Sequence, residues 1–369
     1  MTSFRKIFEQ YNWKDIETGI LTKTAADVET ALNKSKKDIE DFKALISPAG
    51  ADYLEQMALL SRHLTQKRFG KTVQMYIPMY LSNECQNICT YCGFSLHNKI
   101  KRTTLTDKQI VKEAEVIRSL GYDHILLVTG ESAEVNIDYF LHAIELIKPF
   151  FSQISMEVQP LEVDEYKKLN DAGIYAVLVY QETYHKENYK QYHTKGKKSN
   201  FNYRLETPDR LGRSGIHKIG LANLLGLEDW RTESFFTALH LNYLERTYWQ
   251  TKYSVSFPRL RPAEGIENKI IPISDKELVQ LICAFRIFDE DVELSISTRE
   301  SEKFRNNIIK LGITSMSAGS KTNPGGYATE QESLEQFEIN DERTPKEIET
   351  MIQQQGYEAV WKDWDRAIK

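Results

Sequence analysis

Cysteine is scarce in this chain, with four in 369 residues, so a disulfide framework of the kind that staples small secreted domains is excluded. No apolar run approaches the length of a membrane span, and the opening Met1-Thr-Ser-Phe-Arg-Lys has no apolar centre of the kind a secretory leader carries. A cytoplasmic location is therefore expected. There is no surplus of basic residues either: the formal net charge is -5, which gives no electrostatic footprint for nucleic acid. The short basic run Lys195-Gly196-Lys197-Lys198 reads as a solvated loop. Against these absences, 41% hydrophobic and 27% charged residues are ordinary for a globular protein with a large core.

Three of the four cysteines fall within eight residues, as Cys85-Gln-Asn-Ile-Cys89-Thr-Tyr91-Cys92. Three sulfurs this close leave one unpaired whatever bridge forms, so the spacing points to metal binding. A structural zinc site wants four closed ligands, and no second Cys or Cys/His pair lies at a suitable spacing, although His97 is in principle a fourth ligand. Inert thiols are a third reading. A [4Fe–4S] cluster held by three thiolates is the remaining solution; it leaves one iron open to a small molecule. The fourth cysteine, Cys283, sits in the apolar helical run Leu278–Phe285 and reads as a core residue.

After a helix-rich lead-in (1–70) the pattern alternates. Strands are predicted at 73–81, 125–128, 154–158, 176–180, 216–222, 253–257, 292–296 and 313–316, separated by helical stretches. Thr106 and Gln109 fit a capping box, and Gly121, Gly173, Gly215 and Gly312 fit left-handed helix ends. Eight alternating units predict an α/β fold of the (β/α)8 TIM-barrel type over 71–320, with the lead-in covering one end and a tail (321–369) packed on the barrel. Pro345 is placed to open a final helix.

Catalytic groups on such a barrel gather at the carboxy ends of the strands. Those ends carry Thr129-Gly130-Glu131, Glu157 with Gln159, Glu182, Arg259 and Arg261, Arg299, and Ser317 with Ser320; Arg204 is expected to open the helix after the fourth strand. Glu157 and Gln159, two apart, should share the interior face, and Glu157 is a weak candidate base. An Arg with nearby Ser donors suits an amino-acid carboxylate. Arg259 and Arg261 rank below Arg299 as anchors, because two arginines flanking prolines also serve to brace a loop.

The cysteine spacing, with the aromatic Tyr91 before the last cysteine, resembles the signature of the radical S-adenosylmethionine (SAM) superfamily. The likeness extends through Arg68-Phe-Gly-Lys-Thr-Val, Leu127-Val-Thr-Gly-Glu, Glu157-Val-Gln-Pro-Leu, Val179-Tyr-Gln-Glu-Thr-Tyr, Ser256-Phe-Pro-Arg-Leu-Arg-Pro and Val360-Trp-Lys-Asp-Trp-Asp to the tyrosine lyases of that superfamily in thiamine biosynthesis. The resemblance implies one [4Fe–4S] cluster on Cys85, Cys89 and Cys92. It implies SAM held by Tyr91, Thr129, Gly130, Glu131, Glu182 (ribose) and Arg204 (carboxylate), and L-tyrosine anchored by Arg299 with Ser317. Cleavage of the tyrosine Cα–Cβ bond would then follow hydrogen abstraction at its amino nitrogen. Also implied are an electron donor such as flavodoxin or ferredoxin, and delivery of the reactive imine to a thiazole synthase, for which the aromatic tail is a candidate surface. A related hydrogenase-maturation branch adds three cysteines beyond the barrel for a second cluster; only Cys283 follows Cys92 here, so no second cluster is expected.

Overall fold

A computed structural model describes residues 3–261, 270–328 and 335–363. Eight parallel strands form its centre: β1 (Thr72–Ser82), β2 (His124–Thr129), β3 (Gln153–Glu157), β4 (Ala176–Leu178), β5 (Lys218–Leu221), β6 (Lys252–Ser256), β7 (Glu293–Ile296) and β8 (Ser315–Ser317). Each pairs with the next, and β8 returns to β1 with Gln74 opposite Ser315 and Met75 opposite Met316, which closes the barrel. All eight lie within the predicted stretches to within a few residues. Helices occupy the connections where the spacing predicts them. The Thr106–Gln109 capping box forms, with both Thr106 N and Oγ1 donating to Gln109 Oε1. Gly121, Gly173 and Gly215 take φ of 96°, 94° and 78°, a conformation that costs a side chain but not glycine.

The strands alternate between two chemistries. Outward residues such as Val73, Met75, Ile77, Met79 and Leu81 join the main hydrophobic core beneath the helices. The inward residues are unusually polar for a barrel: Gln74, His124, Ser155, Lys218, Ser254, Ser295 and Ser315 surround the lower lumen. Period-two alternation thus gives one face to helix packing and the other to a polar interior.

The amino-terminal helices do not cap a barrel end. They lie along its flank, against helices Trp230–Thr247 and Asp275–Phe288. Polar side chains of those outer helices bind the backbone between the lead-in helices: Gln280 Nε2 donates to the Leu45 and Ser47 carbonyls at 2.8 Å each, and Arg231 Nε to that of Ile46 at 3.0 Å. Burial of apolar faces on the outer helices, not on the strand ends, decides this docking.

The tail forms helix Pro345–Gln354, with Pro345 in its first turn, and a ninth strand, β9 (Glu358–Val360), that pairs with the beginning of β1. Trp361 packs edge-on to Tyr122, and Asp363 accepts from the Tyr175 hydroxyl at 2.8 Å. This part of the aromatic tail closes the base of the barrel, at the end opposite the cysteines; Trp364 and Asp365 fall outside the described residues, as does Pro262. No helix among the described residues is long and apolar enough to cross a membrane.

Candidate active site

The cysteine loop leaves the carboxy end of β1 and is held on three sides. Toward β2, Gly130 N donates to Ser82 O and Gln86 N to Glu131 O, at 3.0 and 2.9 Å. A Cβ on Gly130 would stand 2.2 Å from Glu84 O, so only glycine permits this approach. Toward the insertion after β4, Ile88–Cys89 forms a two-stranded antiparallel ribbon with His193–Lys195, and Thr90 N donates to Tyr192 O. From the tail, Gln336 O accepts from Gly93 N at 3.2 Å, and its Oε1 accepts from the Tyr80 hydroxyl at 2.7 Å. Arg102 braces the loop's exit by donating to the Asn83, Phe94 and Ser95 carbonyls.

Cys85, Cys89 and Cys92 are free thiols around one cavity, which Thr129, Gly130, Glu131, Glu182, Arg204 and Lys198 also line. Burial pushes the Cys89 and Cys92 thiols up, so holding them as thiolates calls for positive charge. Three thiols around one shared cavity are the soft donor set that suits an iron–sulfur cluster.

The charges facing this cavity form a connected set. Glu131 accepts from Asn87 Nδ2 and Arg204 NH1, both at 2.7 Å. Burial alone would raise its pKa, but Arg204 and Lys198 outweigh burial and hold the carboxyl below its ordinary value. Arg204, itself 5% exposed, donates from Nε to Tyr180 O and lies 3.8 Å from Glu182. It sits late in the short helix Phe201–Leu205, not at the opening of the following helix, because Thr207–Ser214 starts afresh with Pro208 in its first turn. Glu182 bonds Lys198 Nζ at 2.8 Å and has φ of 68°, the one positive φ outside glycine among the described residues. Strain of this kind persists where the surroundings fix it, as at ligand sites. Thr129 Oγ1 is buried with no hydrogen-bond partner among the described residues, an acceptor or donor left for a ligand.

A second cavity continues inward from the first and shares Cys92, Glu157, Glu182 and Lys198 with it. Tyr91 roofs it; its hydroxyl donates to His193 Nε2 at 2.7 Å, since His193 Nδ1–H is committed to Tyr189 O. Arg299 lies over the Phe337 ring, 3.3 Å from its centroid, and among the described residues its guanidinium has no ion-pair partner. Ser317 and Ser320 line the same space; Ser317 Oγ accepts from Thr298 N, and Ser320 Oγ is buried with no hydrogen-bond partner among the described residues. Burial, then the charge of Glu182, push the Glu157 carboxyl up to about 7.

Residues 79–239 match the family model of the Radical SAM superfamily, and 256–358 that of the Biotin and Thiamin Synthesis associated domain. The 2-iminoacetate synthase of Salmonella typhimurium is 52% identical over 99% of this chain and 97% of its own length; that of Escherichia coli is 51% identical over the same shares. The chain belongs to the 2-iminoacetate synthase family. It is a radical SAM lyase. A crystal structure of HydG, a maturase of the [FeFe]-hydrogenase, superposes with a TM-score of 0.88 at 32% identity, covering 95% of this chain and 79% of that one.

Not every residue singled out from the sequence of this 2-iminoacetate synthase relative reaches the two cavities. β3 ends at Glu157, so alternation does not carry to Gln159, whose Nε2 donates to Val135 O at 3.0 Å instead. Arg259 is spent on Glu300 and Asp275, and Arg261 reaches Glu300 at 3.3 Å; both brace a loop. Conversely, Lys198 is no solvated residue: its side chain is 12% exposed and lines both cavities. Gln336, Phe337, His193 and Asn87 are further contributors that sequence reading misses. Gly196 was the available signal, because its φ of 90° and the 2.1 Å from a Cβ there to Asn87 Oδ1 demand glycine inside the basic run.

Proposed function

We propose that this chain cleaves the Cα–Cβ bond of L-tyrosine to give 2-iminoacetate and p-cresol, with SAM converted to 5′-deoxyadenosine and methionine, for the thiazole of thiamine. The observation that carries the reading is the pair of joined cavities. One is lined by three thiols and a balanced charge set, and it opens onto a second that holds an arginine with no ion pair among the described residues. Cys85, Cys89 and Cys92 would hold a [4Fe–4S] cluster, and the cluster with SAM supplies, when bound, a 5′-deoxyadenosyl radical.

The chain's own residues do the positioning. Gly130 and Glu131 receive the amino group of SAM, Thr129 Oγ1 offers its free hydroxyl, Glu182 receives the ribose and Arg204 the carboxylate; Tyr91 closes the roof. Arg204 and Glu131 are bonded to each other in the free chain, so SAM binding inserts a zwitterion between complementary charges already aligned for it. Arg299, with Ser317 and Ser320, takes the tyrosine carboxylate in a bidentate grip. Glu157, poised near neutral pH, is the candidate to accept a substrate proton. The one-electron donor is a flavodoxin or ferredoxin, and the imine passes to a thiazole synthase, because a free imine hydrolyses.

Anaerobic reconstitution with iron and sulfide, followed by SAM, dithionite and tyrosine, tests this. 5′-Deoxyadenosine and p-cresol should appear together. Deoxyadenosine without p-cresol would remove the tyrosine assignment, and neither product would remove the radical reading.

A further inference from the structure

Lys198 stands where the two cavities meet, and the fold takes care to put it there. Its backbone N donates to Asn87 Oδ1 at 3.1 Å, inside the cysteine loop, and Asn87 in turn donates to Glu131. Two residues earlier, Gly196 presses so closely on the loop that a Cβ would lie 2.8 Å from both Asn87 Cα and Gln86 O. The ribbon between Ile88–Cys89 and His193–Lys195 fixes the approach from the other side. The ammonium is thereby carried over the Tyr91 ring, 5.7 Å from its centroid, and against Glu182. Of the two cations lining the cysteine cavity, Arg204 is committed to Glu131 and the Tyr180 carbonyl. Lys198 lines the cavity that Cys85, Cys89 and Cys92 share as well as the second one, and its ion-pair partner there is Glu182.

Resting on the cluster assignment above, we infer that Lys198 is a positioning residue for charge: its ammonium offsets the negative charge that the cysteine-bound cluster gains on one-electron reduction, and Glu182 sets how much of that offset the cluster feels. Cluster potentials follow net charge and burial. A unit charge acting over roughly 10 Å at an effective dielectric near 20 changes a reduced-to-oxidised ratio about tenfold.

The test is a potentiometric titration of the reconstituted protein with dithionite, followed by electron paramagnetic resonance, without SAM or tyrosine. Lys198→Gln should give a more negative midpoint, with roughly tenfold less reduced cluster at the wild-type midpoint, and Lys198→Arg should restore it. Glu182→Gln should move the midpoint the opposite way. Equal midpoints in clusters of full iron content would overturn the inference while leaving the lyase reading intact. If Lys198→Gln takes up no cluster, Glu182→Gln decides alone, and an unchanged or more negative midpoint overturns it. A wild-type protein that binds no four-iron cluster would overturn the lyase reading and this inference with it.

Discussion

Arg299 and Arg305 stand six residues apart after β7, and they have opposite surroundings. Arg305 is fully buried and clamped: NH1 donates to Asp341 at 2.5 Å, NH2 to the Ser317 carbonyl, and Asp341 also holds Arg343. Arg299 faces a cavity with an aromatic ring beneath it and, among the described residues, makes no ion pair; Glu157 and Glu182 line the same cavity. For both, burial pulls the guanidinium pKa down, and neighbouring negative charge offsets part of that fall. Residue type is thus shared, Arg299 is partly exposed where Arg305 is fully buried, and the partner is what separates a structural arginine from one left open for a ligand.

Removing the clamped arginine should have the largest effect. Arg305→Ala leaves the Asp341 carboxylate with Arg343 alone and strips the Ser317 carbonyl of its donor. A loss of roughly 3–4 kcal/mol in equilibrium denaturation is expected, from the penalty for breaking a buried ion pair. A loss under about 1 kcal/mol would erase the distinction between the two arginines.

Arg299→Ala should behave in the reverse manner. Its stability cost is about 1 kcal/mol, the worth of its contact with Phe337. Tyrosine affinity, measured calorimetrically on reconstituted protein with SAM present, should fall by about 2–3 kcal/mol, or roughly 30- to 150-fold, as expected for losing charged hydrogen bonds. SAM affinity should be retained. Tyrosine binding that is unchanged would return the anchor to Ser317 and Ser320 alone.

Why the sequence separates some of these features and not others follows from their range. The barrel was legible because its signals are local: period-two strands, a capping box at Thr106–Gln109, and glycine at helix ends. The cysteine triad and Thr129-Gly130-Glu131 are likewise short segments whose spacing is itself the signal. Arg299 and Arg305 could not be sorted, because what sorts them is Asp341, 36 residues beyond Arg305. Gln336 and Phe337 come from a polar tail with no periodicity, and they reach the site only when that tail folds back over the cysteine loop. Gln159 misled because alternation holds only as far as the strand does. Lys198 was hidden in a basic run whose composition reads as solvent-facing, and only the space around Gly196 reveals that it is not.

The finest test of the open site is its pH dependence. Glu157 titrates near 4.5 in the unfolded chain and is pushed up to about 7 in the folded one by burial and then by Glu182, while Arg299, Lys198 and Arg204 pull the other way. Across that interval the folded state keeps a proton that the unfolded state has released. The stability this lends is therefore fully present below pH 4.5 and lost as pH rises through 7. Denaturation of the apoprotein should show wild type falling relative to Glu157→Gln by roughly 3 kcal/mol over the window, because an amide has no proton to lose. Parallel profiles would mean that Glu157 is solvated by the cavity and is no candidate base. In an Arg299→Ala background one of the cations opposing the shift is gone, so the window should extend to higher pH. In an Arg305→Ala background it should move least, since Arg305 is not among the groups that move Glu157 most. That contrast would separate the two arginines by their effect on a third residue, independently of any bound tyrosine.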